Sequence, residues 1–373
     1  MSASTGGQSL DPVQGVLEIL DRAAMTGTNK LGLLLTLLDL LPALEEERTI
    51  SRRQLAERYF EIHWEHGRPF GDVALKQSSV HKLRKDGTAA TDTTVMQEVH
   101  KLREMLKAES SGLHDKPLVV VKSRVGDGTP LGRAWKRKLR QSIKETEKAL
   151  WKNPVQLLQK LPGDPDCFLY EYDADELKLL PGVAEALVRY AGILRPLIEF
   201  RFVQTVMRIN RGVLDFDTED VYSHLFGKAR FMPPEAMRRE LVNIQGGCCI
   251  LTGERLQSSG SSLDHVIPWS RARLSQIENF LVTTKSVNSK KSDTLLSPEM
   301  VDKWLDFVDL NASEIRQCAE EFGWPTDFDR VRAVAMQTYS ALNPAAGVWN
   351  GSSGIQPLGN RGRAAVLDSL SQQ

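Results

Sequence analysis

Residues 31–44, LGLLLTLLDLLPAL, constrain the fold more than any other stretch of this chain. They are apolar around almost the whole circumference of a helix, so other protein must surround them. They fall short of the roughly 20 residues needed to cross a bilayer, and they contain Asp39 and Pro42. The reading is a buried helix inside a helical region. The flanking sequence supplies partners. Residues 12–45 have helical spacing with a break at 27–29. Residues 50–67 read as a helix with Ser51 as N-cap and Leu55, Tyr59, Ile62 and Trp64 as apolar surface. Residues 95–108 place Val95, Val99, Leu102 and Leu106 on one face.

The chain has 373 residues, more than one simple core accommodates, which predicts two or three domains. The expected divisions are a disordered leader at 1–11, a helical and winged-helix-like domain at 12–130, and a basic helix, hairpin and long helix at 131–240. A catalytic module with closing helices follows at 241–343, and a disordered tail at 344–373. The wing is inferred from 118–121 as a short strand followed by a turn at 124–128. Residues 168–172 and 177–180 flank an acidic turn and read as a hairpin. Pro181 and Gly182 then open a long helix with Leu187, Leu194, Leu197, Ile198 and Phe202 as core candidates. The tail is assigned from its Gly, Ser, Asn and Gln content. The fold class is α+β.

Lys plus Arg equal Asp plus Glu at 48 each, so no overall field draws the chain onto nucleic acid. A local one does. Residues 76–148 carry 17 Lys or Arg against 9 Asp or Glu, a net of +8, densest at Arg133, Lys136, Arg137, Lys138 and Arg140. That run reads as either a phosphate-contacting helix or a solvated face. The four cysteines, Cys167, Cys248, Cys249 and Cys318, form no CxxC pair and no disulfide framework, which favours a reducing, cytoplasmic setting. The first residues show no secretory signal. No phosphate loop or dinucleotide fingerprint occurs.

The chemistry concentrates between Gly246 and Asp293. Residues 263–267 form a short apolar run interrupted by Asp264 and His265 and closed by Pro268, and 280–283 read as a second strand. Ser286 is placed to cap a helix through Asn288. Strand, long loop, strand and helix bring Asp264, His265 and Asn288 together. A carboxylate and an amide oxygen are hard ligands suited to Mg²⁺. A neighbouring imidazole can take a proton from water near neutral pH. These are the parts that phosphodiester hydrolysis needs.

This stretch resembles the HNH, or ββα-metal, endonucleases, including the HNH module of RNA-guided effector nucleases. The pattern is carried by Asp264, His265, Pro268, Ser270, Asn279, Asn288, Lys291, Ser292 and Asp293. The resemblance implies a C-terminal ββα-metal module with His265 as general base and Asp264 and Asn288 as ligands of Mg²⁺ or Mn²⁺. It implies that Asn279 braces the loop and that Lys291 lies near the phosphate. It covers about 50 residues and excludes the guide-binding apparatus, for which the chain is too short. Many relatives carry two CxxC pairs around a structural zinc. Here Cys249 is followed by Ile250, Leu251 and Thr252, so apolar packing is expected in zinc's place.

The expected function is metal-dependent cleavage of DNA, most naturally double-stranded, in defence against foreign DNA. The alternatives are a partner-activated effector subunit and a non-catalytic DNA-binding adaptor. Expected partners are DNA and either a protein partner or a second copy, with no membrane. Arg271 and Arg273 are further candidate phosphate contacts, with a solvated loop as the equal alternative. His224 reads as a structural or surface residue, His63, His66 and His81 as without a catalytic role, Trp269 as packing beneath the loop, and Cys248 and Cys249 as small buried residues.

Overall fold

A computed structural model describes residues 11–372 apart from 24, 45–47, 72, 80–81, 84–88, 91, 109–111, 127, 162–166, 213–216, 228–231 and 258–259. The expected leader therefore lies outside the described residues except for Asp11, which caps the first helix, and His81 lies outside them as well. The chain begins with α1 (Pro12–Arg22), α2 (Asn29–Leu40), β1 (Thr49–Ser51), α3 (Arg52–His66), β2 (Lys82–Leu83), β3 (Ala89–Ala90) and α4 (Thr94–Lys107). Next come α5 (Leu118–Arg124), α6 (Pro130–Lys152), α7 (Pro154–Leu157), β4 (Tyr170–Tyr172), β5 (Glu176–Leu179), α8 (Val183–Ile209) and α9 (Thr218–Phe226). The remainder is α10 (Glu235–Ile244), β6 (Ser261–His265), β7 (Phe280–Thr284), α11 (Lys285–Lys291), β8 (Leu295–Leu296), α12 (Pro298–Leu310) and α13 (Ala312–Phe322). It closes with α14 (Phe328–Ser340), β9 (Gly347–Trp349), β10 (Ile355–Pro357) and α15 (Gly359–Ser371). The architecture is mixed α+β and mostly helical. No described helix is long and apolar enough to cross a membrane.

The chain divides into two compact units. The first comprises the described residues up to Asp115 together with Pro130–Phe226; the second comprises Lys116–Thr129 and the described residues from Gly227 onward. The expected divisions at 130/131 and 240/241 are therefore replaced by one helical unit interrupted by a short excursion into the other.

In the first unit α2 is buried along its length and packs between α3 and α8. Gly32 permits the close approach: a Cβ there would stand 2.8 Å from the His63 ring. Asp39 survives inside because Arg58 (2.6 Å) and Arg195 both pair with it, which compensates its lost hydration. A capping box of Ser51 and Gln54 starts α3. The expected hairpin forms, and β1 joins it on the β5 edge to give the antiparallel order β1-β5-β4. Gly182, at φ +80°, opens α8. Leu197 is exposed rather than buried, because the inward face of α8 runs through Leu187, Leu194, Ile198 and Phe202. His63 and His66 are core residues, and burial lowers the His63 pKa to about 4.

Two expectations fail on elements of the second unit. Residues 118–121 are helical, not a strand, and no wing is built from them. The β-branched run favours a strand locally. Tertiary anchors prevail: Ser123 and Arg124 donate to the carbonyls of Gly323 (3.0 Å) and Phe322 (2.8 Å). The predicted disordered tail forms β9, β10 and α15. It buries Val348, Trp349, Leu358, Val366 and Leu370 in the core of the unit, with β9 pairing parallel to β8. Few apolar residues suffice there because these five face inward, while Ile355 is exposed.

Candidate active site

β6 and β7 pair antiparallel from Ser261↔Thr284 to His265↔Phe280, so Asp264 and His265 stand at the last rungs of the ribbon. α11 follows β7 without a linker. Its N-cap is Thr284, whose Oγ1 accepts the Val287 N–H at 3.2 Å; the expected cap, Ser286, lies inside the first turn. α11 packs on both strands. This is a ββα unit, with Asn288 on its helix.

A long loop, residues 266–279, joins the strands, and buried groups fix its shape. Asn279 is fully buried. Its Oδ1 accepts the Ile267 N–H at 2.8 Å, and its Nδ2 donates to the carbonyls of Ile267 (3.2 Å) and Leu274 (3.4 Å). Its own carbonyl accepts the Val266 N–H at 2.9 Å. One side chain thus substitutes for strand pairing just beyond His265. Trp304 Nε1 donates to the Glu278 carbonyl (2.9 Å), Trp324 Nε1 donates to the Ser275 carbonyl (2.7 Å), and Thr326 donates to the Glu278 carboxylate. Sequence reasoning missed these anchors because they come from α12 and from the loop between α13 and α14, far along the chain.

His265 is 7% exposed and packs between Phe280 (ring centroids 4.6 Å apart) and Trp269 (5.4 Å). The Asp264 carboxylate accepts the His265 backbone N–H on Oδ1 at 2.9 Å, and its Oδ2 lies 3.0 Å from Lys291 Nζ. Lys291, 1% exposed, also donates to the His265 carbonyl at 2.8 Å. Its ammonium is therefore engaged in fixing the Asp264–His265 pair. The phosphate-side position expected of Lys291 does not match this buried placement. Ser292, at φ +48°, ends α11 immediately afterward.

The residues suit a divalent cation. A carboxylate oxygen has more than one lone pair, so the Asp264 carboxylate can serve a cation as well as the His265 N–H and Lys291. Asn288 is half-buried, and its side chain makes no hydrogen bond among the described residues. It lies one turn before Lys291 on α11, the helix that packs on β6 and β7, and Lys291 reaches Asp264. Among the described residues no three His, Cys, Asp or Glu side chains converge on one point. Two oxygen ligands, with water and phosphate completing the shell, is the usual arrangement for Mg²⁺.

Residues 248–254 form a tight turn. Cys249 N–H donates to the Glu254 carbonyl (2.8 Å), Gly253 N–H donates to the Cys249 carbonyl (2.7 Å), and Cys249 and Leu251 are buried. Gln245 holds the β7 edge by exchanging two bonds with the Val282 backbone, at 2.7 and 2.8 Å. No motif signals that residue.

The remaining candidates are dispersed. Arg273 lies over the Trp269 ring at 4.9 Å, beside His265. Arg271 is half-buried; burial lowers its pKa, with Tyr339 and Asp293 opposing that. On α6, in the first unit, Arg133, Arg137 and Arg140 share an exposed face, whereas Lys136 is half-buried and Lys138 pairs with Glu98 at 2.6 Å. His224 belongs to the first unit, with its ring against Phe70 at 4.9 Å. No family model, no curated protein and no solved structure matches the chain.

Proposed function

We propose that this chain is a divalent-metal-dependent endonuclease of the HNH type, acting on DNA. The observation that carries the reading is the ββα unit itself. It sets Asp264 and His265 at the end of one strand, braces the loop with Asn279 and carries Asn288 on the helix that packs on both strands. A chance Asp-His pair has no reason to be supported in this way.

In this reading His265 accepts a proton from the water that attacks phosphorus, and Phe280 and Trp269 hold its ring in place. Asp264 and Asn288 would hold Mg²⁺ or Mn²⁺, which would supply positive charge to offset the negative charge developing on the phosphate and the departing 3′ oxygen. Lys291 keeps the Asp264 carboxylate and the His265 backbone in fixed relation, so neither moves during proton transfer. Arg273 and the exposed arginines of α6 are candidate phosphate contacts. Defence against foreign DNA is the biological setting that the resemblance favours.

The test is to incubate purified protein with supercoiled plasmid and Mg²⁺ or Mn²⁺, with EDTA as control, and to determine the chemistry of the product ends. The reading expects metal-dependent nicking or linearisation that leaves 5′-phosphate and 3′-hydroxyl ends. Cleavage that persists in EDTA, or ends bearing a 3′-phosphate, would be incompatible with it.

A further inference from the structure

The C-terminal end of α8, in the first unit, has a feature that the nuclease site does not use. A cleft of about 710 Å³ opens there, walled by Met25, Arg201, Gln204, Thr205, Arg208 and Arg211. The positions 201, 204, 208 and 211 follow the helical repeat, so they share one face. Three guanidinium groups line the cleft, and none of its described lining residues is acidic. No ion pair engages Arg201, Arg208 or Arg211 among the described residues. Arg208 donates to the Met25 carbonyl, and the Nε–H of Arg201 is buried without an acceptor among the described residues.

The helix dipole explains part of this charge. A helix C-terminus carries roughly half a negative charge, which one arginine in the last turn offsets. Arg201 stands two turns earlier, and the positive charge of the group exceeds what the dipole balances. Like charges three and four residues apart on one helix face repel one another, and an anion bound among them relieves that repulsion.

We propose that this cleft binds phosphate groups. A guanidinium fork matches phosphate oxygens bidentately, and the volume is within the roughly 300–1,000 Å³ typical of small-ligand sites. The phosphate can belong to a nucleic-acid backbone or to a free nucleotide, since both offer the same oxygens.

The test measures binding only, in EDTA, so its result is independent of whether the second unit cleaves DNA. Inorganic pyrophosphate and a 5′-mononucleotide are followed by thermal shift, and a short labelled duplex by anisotropy across a salt series. The variants are Arg201→Gln/Arg208→Gln/Arg211→Gln together and Arg211→Gln alone. The triple variant is expected to lose the pyrophosphate-induced shift, or to flatten the duplex salt slope by about 2–3, at about 0.9 per phosphate contact. Loss confined to the duplex assigns the cleft to a backbone; loss confined to pyrophosphate and nucleotide assigns it to a free ligand. Arg211→Gln, at the exposed rim, covers the case in which the triple variant fails to fold, and it is expected to weaken the affected probe about tenfold. Unchanged binding of all three probes, by the folded triple variant or by Arg211→Gln if only that folds, would overturn the proposal.

Discussion

Replacing Asn279 by Ala separates a loop brace from a metal ligand. The change strips a fully buried side chain from a site where it satisfies the Ile267 N–H at 2.8 Å and the carbonyls of Ile267 and Leu274 at 3.2 and 3.4 Å. A buried donor deprived of its acceptor costs about 1–3 kcal/mol. The two bonds from Nδ2 are longer and add less, so the total is about 3 kcal/mol. For a unit of this size that lowers the melting temperature by about 6–12 °C. Denaturant unfolding followed by tryptophan fluorescence reads it directly, since Trp269, Trp304 and Trp349 are buried in the second unit and Trp324 is half-buried there. Asn288→Ala is the control. Its side chain makes no hydrogen bond among the described residues, so stability is expected to change by less than about 0.5 kcal/mol while cleavage is lost. An Asn279→Ala protein as stable as the parent, or an equal loss from Asn288→Ala, would refute the division of roles.

Lys291→Met is expected to destabilise the second unit by about 3 kcal/mol, the lower end for breaking a buried pair because Asp264 keeps 12% side-chain exposure. Urea unfolding measures it, and a loss below about 1 kcal/mol would show that the ammonium is solvated rather than paired. In the first unit His63, which is buried, and Asp92, which is half-buried, oppose each other in pH. Burial lowers His63 from 6.5 to about 4, so its contribution is present above pH 6.5 and is lost as pH falls toward 4. Burial raises Asp92 from 3.8 to about 6, so its contribution is present at low pH and is lost as pH rises through 6. The two nearly cancel. Asp92→Asn therefore unmasks His63, and the first unit is expected to lose about 3 kcal/mol between pH 6.5 and 4, against a flatter profile in the parent. Equal pH profiles would contradict this assignment.

Local rules read the helices, their caps and the hairpin well. The Ser51 cap, the Val95–Leu106 face and the Pro181–Gly182 start of α8 all follow from side-chain chemistry within a few residues. The motif spacing led to the ββα order because strand, loop and helix are contiguous there. Long-range partners were not legible. Nothing near 118–121 announces that Phe322 and Gly323 will accept from Ser123 and Arg124, and a Val-Val-Val run viewed alone favours a strand. The residues after 343 look like a tail by composition, but β8 and α12 lie ready to receive Trp349 and Val366. The buried state of Lys291 was hidden for the same reason: a lysine in a charged motif reads as solvent-facing until its partners are in place.

The central claim, that His265 acts as base in a metal-dependent cleavage, is tested most directly by comparing the plasmid-nicking rates of the parent protein and His265→Ala in Mg²⁺. Both proteins must be shown to share the same fold. The account predicts nicking by the parent and a loss of about 10²–10⁴-fold in the variant. Equal rates from the two proteins would contradict it, as would the absence of cleavage by the folded parent on every DNA and metal tried.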